Sequence, residues 1–212
     1  MKYAETVVAA LVLCFGAGMG IALLRRRNAA GRRMALGALL LTLGAAAHLA
    51  PRSLGLLFDW DTTHWRGLGR LAAALALTGW YLLLYRSWER EFRPEVRDRV
   101  VLWTVIGCVI LRLLLMAAPA NGWWRNGHDP LWQTLRNLPL AVLAAVTVLL
   151  YRLTRRENRA LAPVWILQLI SFLCYLPAAV GRTPVAVPSM ALMALCQLGT
   201  LCCFLRAAKE KR

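Results

Sequence analysis

Residues 100–118, VVLWTVIGCVILRLLLMAA, decide the fold class. Arg112 is the single charged residue in this run of 19. About 20 apolar residues in a helix are needed to cross the hydrocarbon layer of a membrane, so the run predicts a transmembrane helix. Because the apolar residues are continuous and do not alternate with polar ones, the run excludes a strand of a membrane β-barrel.

Six more apolar segments of similar length lie on either side of this run. The complete set of predicted spans is 6–24, 34–50, 68–85, 100–118, 131–151, 161–180 and 185–205. These spans use most of the 212 residues, so we expect one domain, residues 1–212, that is an all-α bundle of seven transmembrane helices. The composition agrees, because 59% of the residues are hydrophobic and 17% are charged, where a soluble domain has about 25% charged residues.

Basic residues are unevenly divided between the two sets of joints. Eighteen of the 26 Lys and Arg residues lie in 25–33, 86–99, 152–160 and 206–212. The positive-inside rule then predicts a multi-pass protein of the cytoplasmic membrane, with the N-terminus outside and the C-terminus in the cytoplasm. Most of the net charge of +16 is explained by this topology, so membrane lipids and no nucleic acid are the expected partners. The alternating charges of 86–99 are typical of a solvated helical extension, with docking of a cytoplasmic partner as an alternative.

The sequence predicts no cofactor and no set of catalytic residues. Gly16, Gly18 and Gly20 have the spacing of a dinucleotide-binding loop, but the preceding strand and the acidic residue of that motif are missing. Gly16 and Gly20 instead fit a close contact between two membrane helices. All six cysteines fall in predicted spans, where we interpret them as packing residues.

Arg112 is the most informative single residue. An arginine in the middle of a span costs between ~3 and ~15 kcal/mol, so it needs a partner or a wet cavity. It could extend to the outer headgroups, or pair with an acid such as Asp59 or Asp129. Alternatively, it converges with other polar residues near the outer ends of spans 2, 4 and 5 on an anion, because guanidinium groups bind carboxylates and phosphates bidentately. The predicted ligand-binding residues are His48, Arg52, Arg112, Gln133, Arg136 and Asn137.

Two further groups of polar residues need an interpretation. The outer loops contain possible zinc ligands, but solvated loop groups are the preferred interpretation and we predict no metal. These residues are Asp59, Asp61, His64, His128 and Asp129. Polar residues at helical spacing in spans 6 and 7, among them Gln168, Tyr175 and Thr200, predict hydrogen bonds between helices.

Short motifs at the ends of two predicted spans resemble those of a group of small seven-helix bacterial membrane proteins. The motifs are His48-Leu49-Ala50-Pro51-Arg52, Arg136-Asn137-Leu138-Pro139 and the loop from Asn121 to Trp123. Alanines occupy 45–47, where that group has an acid shortly before the histidine. The resemblance implies the seven-helix layout and draws attention to the residues in these motifs, and it implies no particular chemistry.

The functional hypothesis is a membrane binding protein, a receptor-like sensor or carrier, with an outward-facing polar cavity. Its ligand would be an anionic small molecule or a lipid headgroup. The first alternative is an intramembrane lipid hydrolase, with His48 or His64 as the base and Asp59 or Asp61 as its partner or a metal ligand. The second alternative is a small-solute transporter, so enzymatic activity stays open at this point.

Overall fold

A computed structural model describes residues 2–25, 29–92, 99–123, 129–179 and 187–210. Within these ranges the chain is all-helical, with seven α-helices and no strand. The helices are α1 Lys2–Leu24, α2 Ala29–Phe58, α3 Thr63–Phe92, α4 Arg99–Ala117, α5 Pro130–Leu153, α6 Val164–Ala179 and α7 Val187–Glu210. Six of them are long and apolar enough to cross a membrane, which indicates a multi-pass membrane protein.

The helix that falls short of this length is α6. It has 16 residues, and at 1.5 Å per residue it is about 24 Å long, against a hydrocarbon layer of about 30 Å. In contrast, α2 and α3 have 30 residues each, and both are longer than the predicted spans within them. The prediction of a helix at each of the seven apolar segments is therefore confirmed, and a seventh crossing by α6 stays a prediction.

The helices pack in chain order and form a closed ring. Each helix contacts the next one along the chain, and α7 returns to contact α1. Two further contacts, between α3 and α5 and between α2 and α7, cross the ring and fill its centre. The core contains Trp80, Leu84 and Tyr151, which are almost completely buried.

Small residues bring α2 and α3 into unusually close contact. A methyl group added to Gly44 would overlap Ala76 of α3, and one added to Gly69 would overlap the backbone carbonyl of Ala47 in α2. That carbonyl is four residues before Pro51, which has no N–H to donate to it. Gly69 thus lies against a carbonyl that accepts no backbone hydrogen bond from Pro51. This close contact fixes the register of α2 against α3.

Polar side chains connect helices across the interior. Gln168 of α6 accepts a hydrogen bond from the Trp80 indole at 3.2 Å and donates one to the Thr200 hydroxyl at 2.8 Å. Further along α3, the Trp88 indole donates to the Thr154 hydroxyl, and the Tyr151 hydroxyl donates to the backbone carbonyl of Leu84. The predicted role of Gln168 and Thr200 in joining helices is confirmed.

Large apolar side chains cover much of the outer surface. Leu43 is 69% exposed, Trp103 67% and Leu153 78%. A soluble protein rarely exposes apolar side chains on this scale, whereas a membrane protein faces lipid with them. The exposed residues therefore agree with the length and composition of the six apolar helices.

Candidate functional site

Three arginines and a histidine line one cleft between α2 and α3. The cleft has a volume of about 350 Å³. Its lining residues are His48, Arg52, Leu56, Arg66 and Arg70, and we call it the α2–α3 cleft. None of these residues is acidic, so within the part of the chain that the structure describes the lining carries only positive or neutral groups.

The antiparallel pairing of α2 and α3 explains why these residues meet. His48 and Arg52 are four residues apart near the end of α2, and Arg66 and Arg70 are four apart near the start of α3. Residues at i and i+4 share one face of a helix, so each helix contributes one pair of side chains to the cleft. The close contact of Gly69 with Ala47 and His48 sets the register that places the two pairs opposite each other.

A four-residue turn, 59–62, joins the two helices. Asp59 has a φ of 53°, a left-handed conformation that aspartate tolerates better than most residues. Asp61 accepts a hydrogen bond from the Thr63 backbone N–H at 3.0 Å, at the start of α3. This bond and one from the Thr63 hydroxyl hold the pKa of the exposed Asp61 carboxyl below its usual value.

Arg66 is held against the wall of the cleft from two sides. Its Nε donates to the Thr62 hydroxyl at 3.0 Å, and Thr62 is buried. On the α2 side, a methyl group at Gly55 would come within 2.6 Å of the Arg66 guanidinium. Glycine at 55 therefore leaves the space that the guanidinium needs to lie along α2.

His48 is half-buried between two positive charges of the cleft. Its Nδ1 is buried and has no hydrogen-bond partner among the described residues. The charges of Arg52 and Arg70 both act on the imidazole. A buried polar atom without a partner is costly, so a hydrogen-bonding group of a ligand would stabilise this arrangement.

A second polar group lies inside the bundle, around Arg112 of α4. We call it the Arg112 network and define it by Thr78, Arg112, Arg136, Asn137 and Tyr175. The Arg112 side chain is completely buried. Its Nε donates to the Thr78 hydroxyl at 2.7 Å, and its Nη1 donates to the Arg136 carbonyl at 3.0 Å and to Asn137 Oδ1 at 3.1 Å.

Asn137 joins three helices within this network. Its Oδ1 accepts from Arg112 of α4 and, at 3.4 Å, from the Tyr175 hydroxyl of α6. Its Nδ2 donates to the backbone carbonyls of Gln133 and Ala179, at 2.9 and 3.0 Å. The Asn137 amide thus both donates and accepts hydrogen bonds. Its four partners are the Arg112 guanidinium, the Tyr175 hydroxyl and the carbonyls of Gln133 and Ala179.

The buried Arg136 side chain connects α5 to the short segment after α4. Its Nη1 donates to Asn121 Oδ1 at 3.0 Å, and its guanidinium carbon lies 4.3 Å from the centre of the Trp123 ring. Asn121 and Trp123 are themselves anchored, because Trp123 donates to the Met116 carbonyl and Asn121 donates to carbonyls at the end of α4. The guanidinium is therefore clamped by a hydrogen bond and a cation–π contact.

The α2–α3 cleft and the Arg112 network are electrostatic neighbours. The charge of Arg136 acts on Arg70, and the charges of Arg136 and Arg112 act on each other. Positive groups therefore continue from the cleft to the buried end of the Arg112 side chain. The predicted site residues divide between the two groups, with His48 and Arg52 in the cleft and Arg112, Arg136 and Asn137 in the network.

Two of the expectations for Arg112 need correction. Its side chain does not extend to the protein surface, because it is completely buried within the bundle. Its hydrogen-bond partners are Thr78, Asn137 and the backbone of Arg136, so it does not pair with Asp59 or Asp129. Asp129 instead accepts from the Leu131 backbone N–H and caps the start of α5.

The remaining predicted residues have lesser roles. Gln133 is half-buried, and its backbone carbonyl accepts from Asn137. Among the described residues, no three His, Cys, Asp or Glu side chains come together in a group that could hold a metal. His128 lies outside the described residues, and so do residues 93–98 of the segment 86–99.

Arg66 and Arg70 line the cleft but are not among the residues that the sequence predicts for the site. The sequence does contain a signal for them. Arg66 and Arg70 are four residues apart near the start of one helix, and His48 and Arg52 are four apart near the end of the helix before it. Asn121 and Trp123, which hold Arg136, belong to one of the motifs named above but are not predicted as site residues.

The chain matches no protein-family model, no curated protein and no solved structure.

Proposed function

We propose that the chain is a membrane binding protein, the recognition component of a sensor or carrier, and that it binds an anionic group in the α2–α3 cleft. The observation that carries this proposal is the lining of the cleft, where Arg52, Arg66 and Arg70 face His48 without an acidic side chain among the described lining residues. Each of the three guanidinium groups carries a positive charge. An anion in the cleft would form charge-assisted hydrogen bonds with them.

A phosphate or carboxylate group fits this lining best. The planar guanidinium forms two parallel hydrogen bonds with either group, and several arginines together can surround a tetrahedral phosphate. Leu56 completes the lining and offers an apolar surface beside the charged groups. A phospholipid headgroup and a free phosphate share this chemistry, and the experiment below distinguishes them.

The cleft opens to the outer side of the membrane in the topology that we propose. The turn 59–62 joins the two helices beside the cleft and contains no Lys or Arg, whereas the opposite joints contain most of the basic residues. A green fluorescent protein fused to the C-terminus should therefore fluoresce, and alkaline phosphatase fused there should be inactive. The reverse pattern would place the cleft on the cytoplasmic side.

Binding can be tested with the purified full chain in detergent. Inorganic phosphate is titrated while thermal unfolding is followed, and retained phosphatidylglycerol is measured by native mass spectrometry. A free anion as ligand predicts a phosphate-dependent rise in Tm, and a lipid headgroup predicts retained phosphatidylglycerol. In both cases Arg66→Gln and Arg70→Gln should weaken binding about tenfold or more, since each removes a charge-assisted contact.

The matched control is Arg32→Gln. Arg32 is an exposed arginine in the first turn of α2, at the opposite end of that helix from the cleft. The Arg32→Gln variant loses one positive charge, as each cleft variant does, and leaves the lining of the α2–α3 cleft unchanged. Equal binding by the cleft variants, the control variant and the unmodified protein would contradict the proposal.

A further inference from the structure

The Arg112 side chain has more hydrogen-bond donors than the described residues satisfy. A guanidinium has five N–H groups. Three acceptors take bonds from Nε and Nη1, and Nη2 is buried without a hydrogen-bond partner among the described residues. Arginine does not lose its proton in proteins, so the side chain keeps its positive charge in this position.

Among the residues that the structure describes, no acidic group compensates the charge of Arg112. Its three acceptors are a hydroxyl, an amide oxygen and a backbone carbonyl, all of them neutral. The ionisable groups that act on it are the neutral phenols of Tyr175, which also hydrogen-bonds the guanidinium, and Tyr81, together with the charged Arg136, and no carboxylate of the described chain is among them. Arg136, itself buried, adds a second positive charge. A buried charge without a counter-charge costs several kcal/mol, which a neutral water molecule at Nη2 would not remove.

From these observations we infer that Nη2 of Arg112 and the hydroxyl of Tyr175 hold one small monovalent inorganic anion, such as chloride, inside the bundle. This site is separate from the α2–α3 cleft and does not depend on the function proposed for it. The anion would accept from the two free N–H groups of Arg112 and cancel one of the two buried charges. The Tyr175 hydroxyl, which interacts with the same guanidinium, would turn toward the anion from its long 3.4 Å bond to Asn137.

Chloride itself is the probe for this site. The purified full chain is unfolded thermally in sodium gluconate, and chloride replaces gluconate at constant ionic strength. A ligand that binds only the folded state raises Tm in a saturable way, by roughly 5 °C or more at about a hundred times its Kd. Bromide should act like chloride, and sulfate, with its larger size and second charge, should not.

Two variants and one control locate the effect. Arg112→Leu should abolish the chloride-dependent shift, and Tyr175→Phe should raise the chloride concentration for half the shift about tenfold, as expected for one charge-assisted bond. Tyr175→Phe keeps the three bonds of Arg112 to Thr78, Asn137 and the Arg136 carbonyl, so it tests the site even where Arg112→Leu does not fold. Arg66→Gln, in the α2–α3 cleft, should leave the chloride response unchanged.

The inference is overturned by either of two results. The first is a Tm of the unmodified protein that does not depend on chloride. The second is a chloride response that Tyr175→Phe leaves intact or that Arg66→Gln removes. Since phosphate or lipid binding is measured separately in the α2–α3 cleft, failure of one site is distinguishable from failure of the other.

Discussion

The α2–α3 cleft and the Arg112 network use the same residue type in opposite ways. In the cleft, Arg66 is held by a hydroxyl of its own helical turn, and its guanidinium lines open space. In the network, Arg112 and Arg136 are buried and bond to groups on neighbouring segments. An arginine that is anchored locally stays available to a ligand, whereas one that joins helices becomes part of the fold. This difference predicts that cleft variants change binding and network variants change stability.

The largest effect on stability is expected for Asn137→Leu. It removes one hydrogen bond each from Arg112, Tyr175 and two backbone carbonyls, and each lost bond costs about 0.5–1.5 kcal/mol. We expect a loss of about 3 kcal/mol in the free energy of unfolding, measured by denaturant titration of the purified protein in detergent.

Thr134→Val is the matched control for this variant. The Thr134 hydroxyl lies one turn earlier on α5, and its one bond to a described residue is to the carbonyl of Pro130 in its own helix, at 2.8 Å. Its replacement should therefore change stability by less than about 0.5 kcal/mol. Equal losses for the two variants would show that the Arg112 network does not hold the helices together.

Gly67→Ala should have the next largest effect. The added methyl group would overlap the backbone carbonyl of Trp123, which must move and weaken the clamp on Arg136. Overpacking of this kind costs about 1–3 kcal/mol. Gly107→Ala is the control, because no described residue lies within 4 Å of its added methyl group, and alanine there should be neutral or slightly stabilising. If both variants lowered stability equally, the close contact at Gly67 would be refuted.

The cleft arginines should contribute little to stability. Arg66→Gln breaks one contact with Thr62, so the free energy of unfolding without ligand should change by less than about 1 kcal/mol. The same variant should lose most of the added stability that phosphate, the probe for the cleft, gives to the unmodified protein. A large loss of stability in the absence of any anion would remove the contrast between the two regions.

The smallest effect is expected at Asp61, outside both regions. Hydrogen bonds from Thr63 lower the pKa of its carboxyl, so the ionised form stabilises the start of α3. A carboxyl whose pKa is lowered in the folded state adds to the free energy of unfolding. This contribution is complete above the ordinary aspartate pKa of about 4, and it is lost as the pH falls through the lowered pKa. Asp61→Asn should therefore lower Tm slightly at pH 7 and not at all in strong acid. A Tm difference that stays constant with pH would exclude this role.

The sequence was sufficient for the fold class and for part of the site. Long apolar runs predict helices because no other element satisfies its own backbone over such a length in lipid. Helical spacing also predicts Arg136 and Asn137 on one face of α5, and Arg112 donates to the Asn137 side chain and to the backbone carbonyl of Arg136. What the spacing could not give is the rotation of one helix relative to another. That rotation depends on contacts such as Gly69 against Ala47, and it decides that His48 faces Arg70.

The closure of the helix ring has a consequence for biosynthesis. Helix α1 emerges first and can pair at once with α2, where Gly16 and Gly20 lie against Thr42 and Leu39. Its contact with α7 must wait until α7, the last of the seven helices, has been made, about 10 to 40 s later at 5–20 residues per second. During that interval the α7-facing side of α1 is in contact with lipid. The order of synthesis therefore makes the α1–α7 contact the last part of the ring to form.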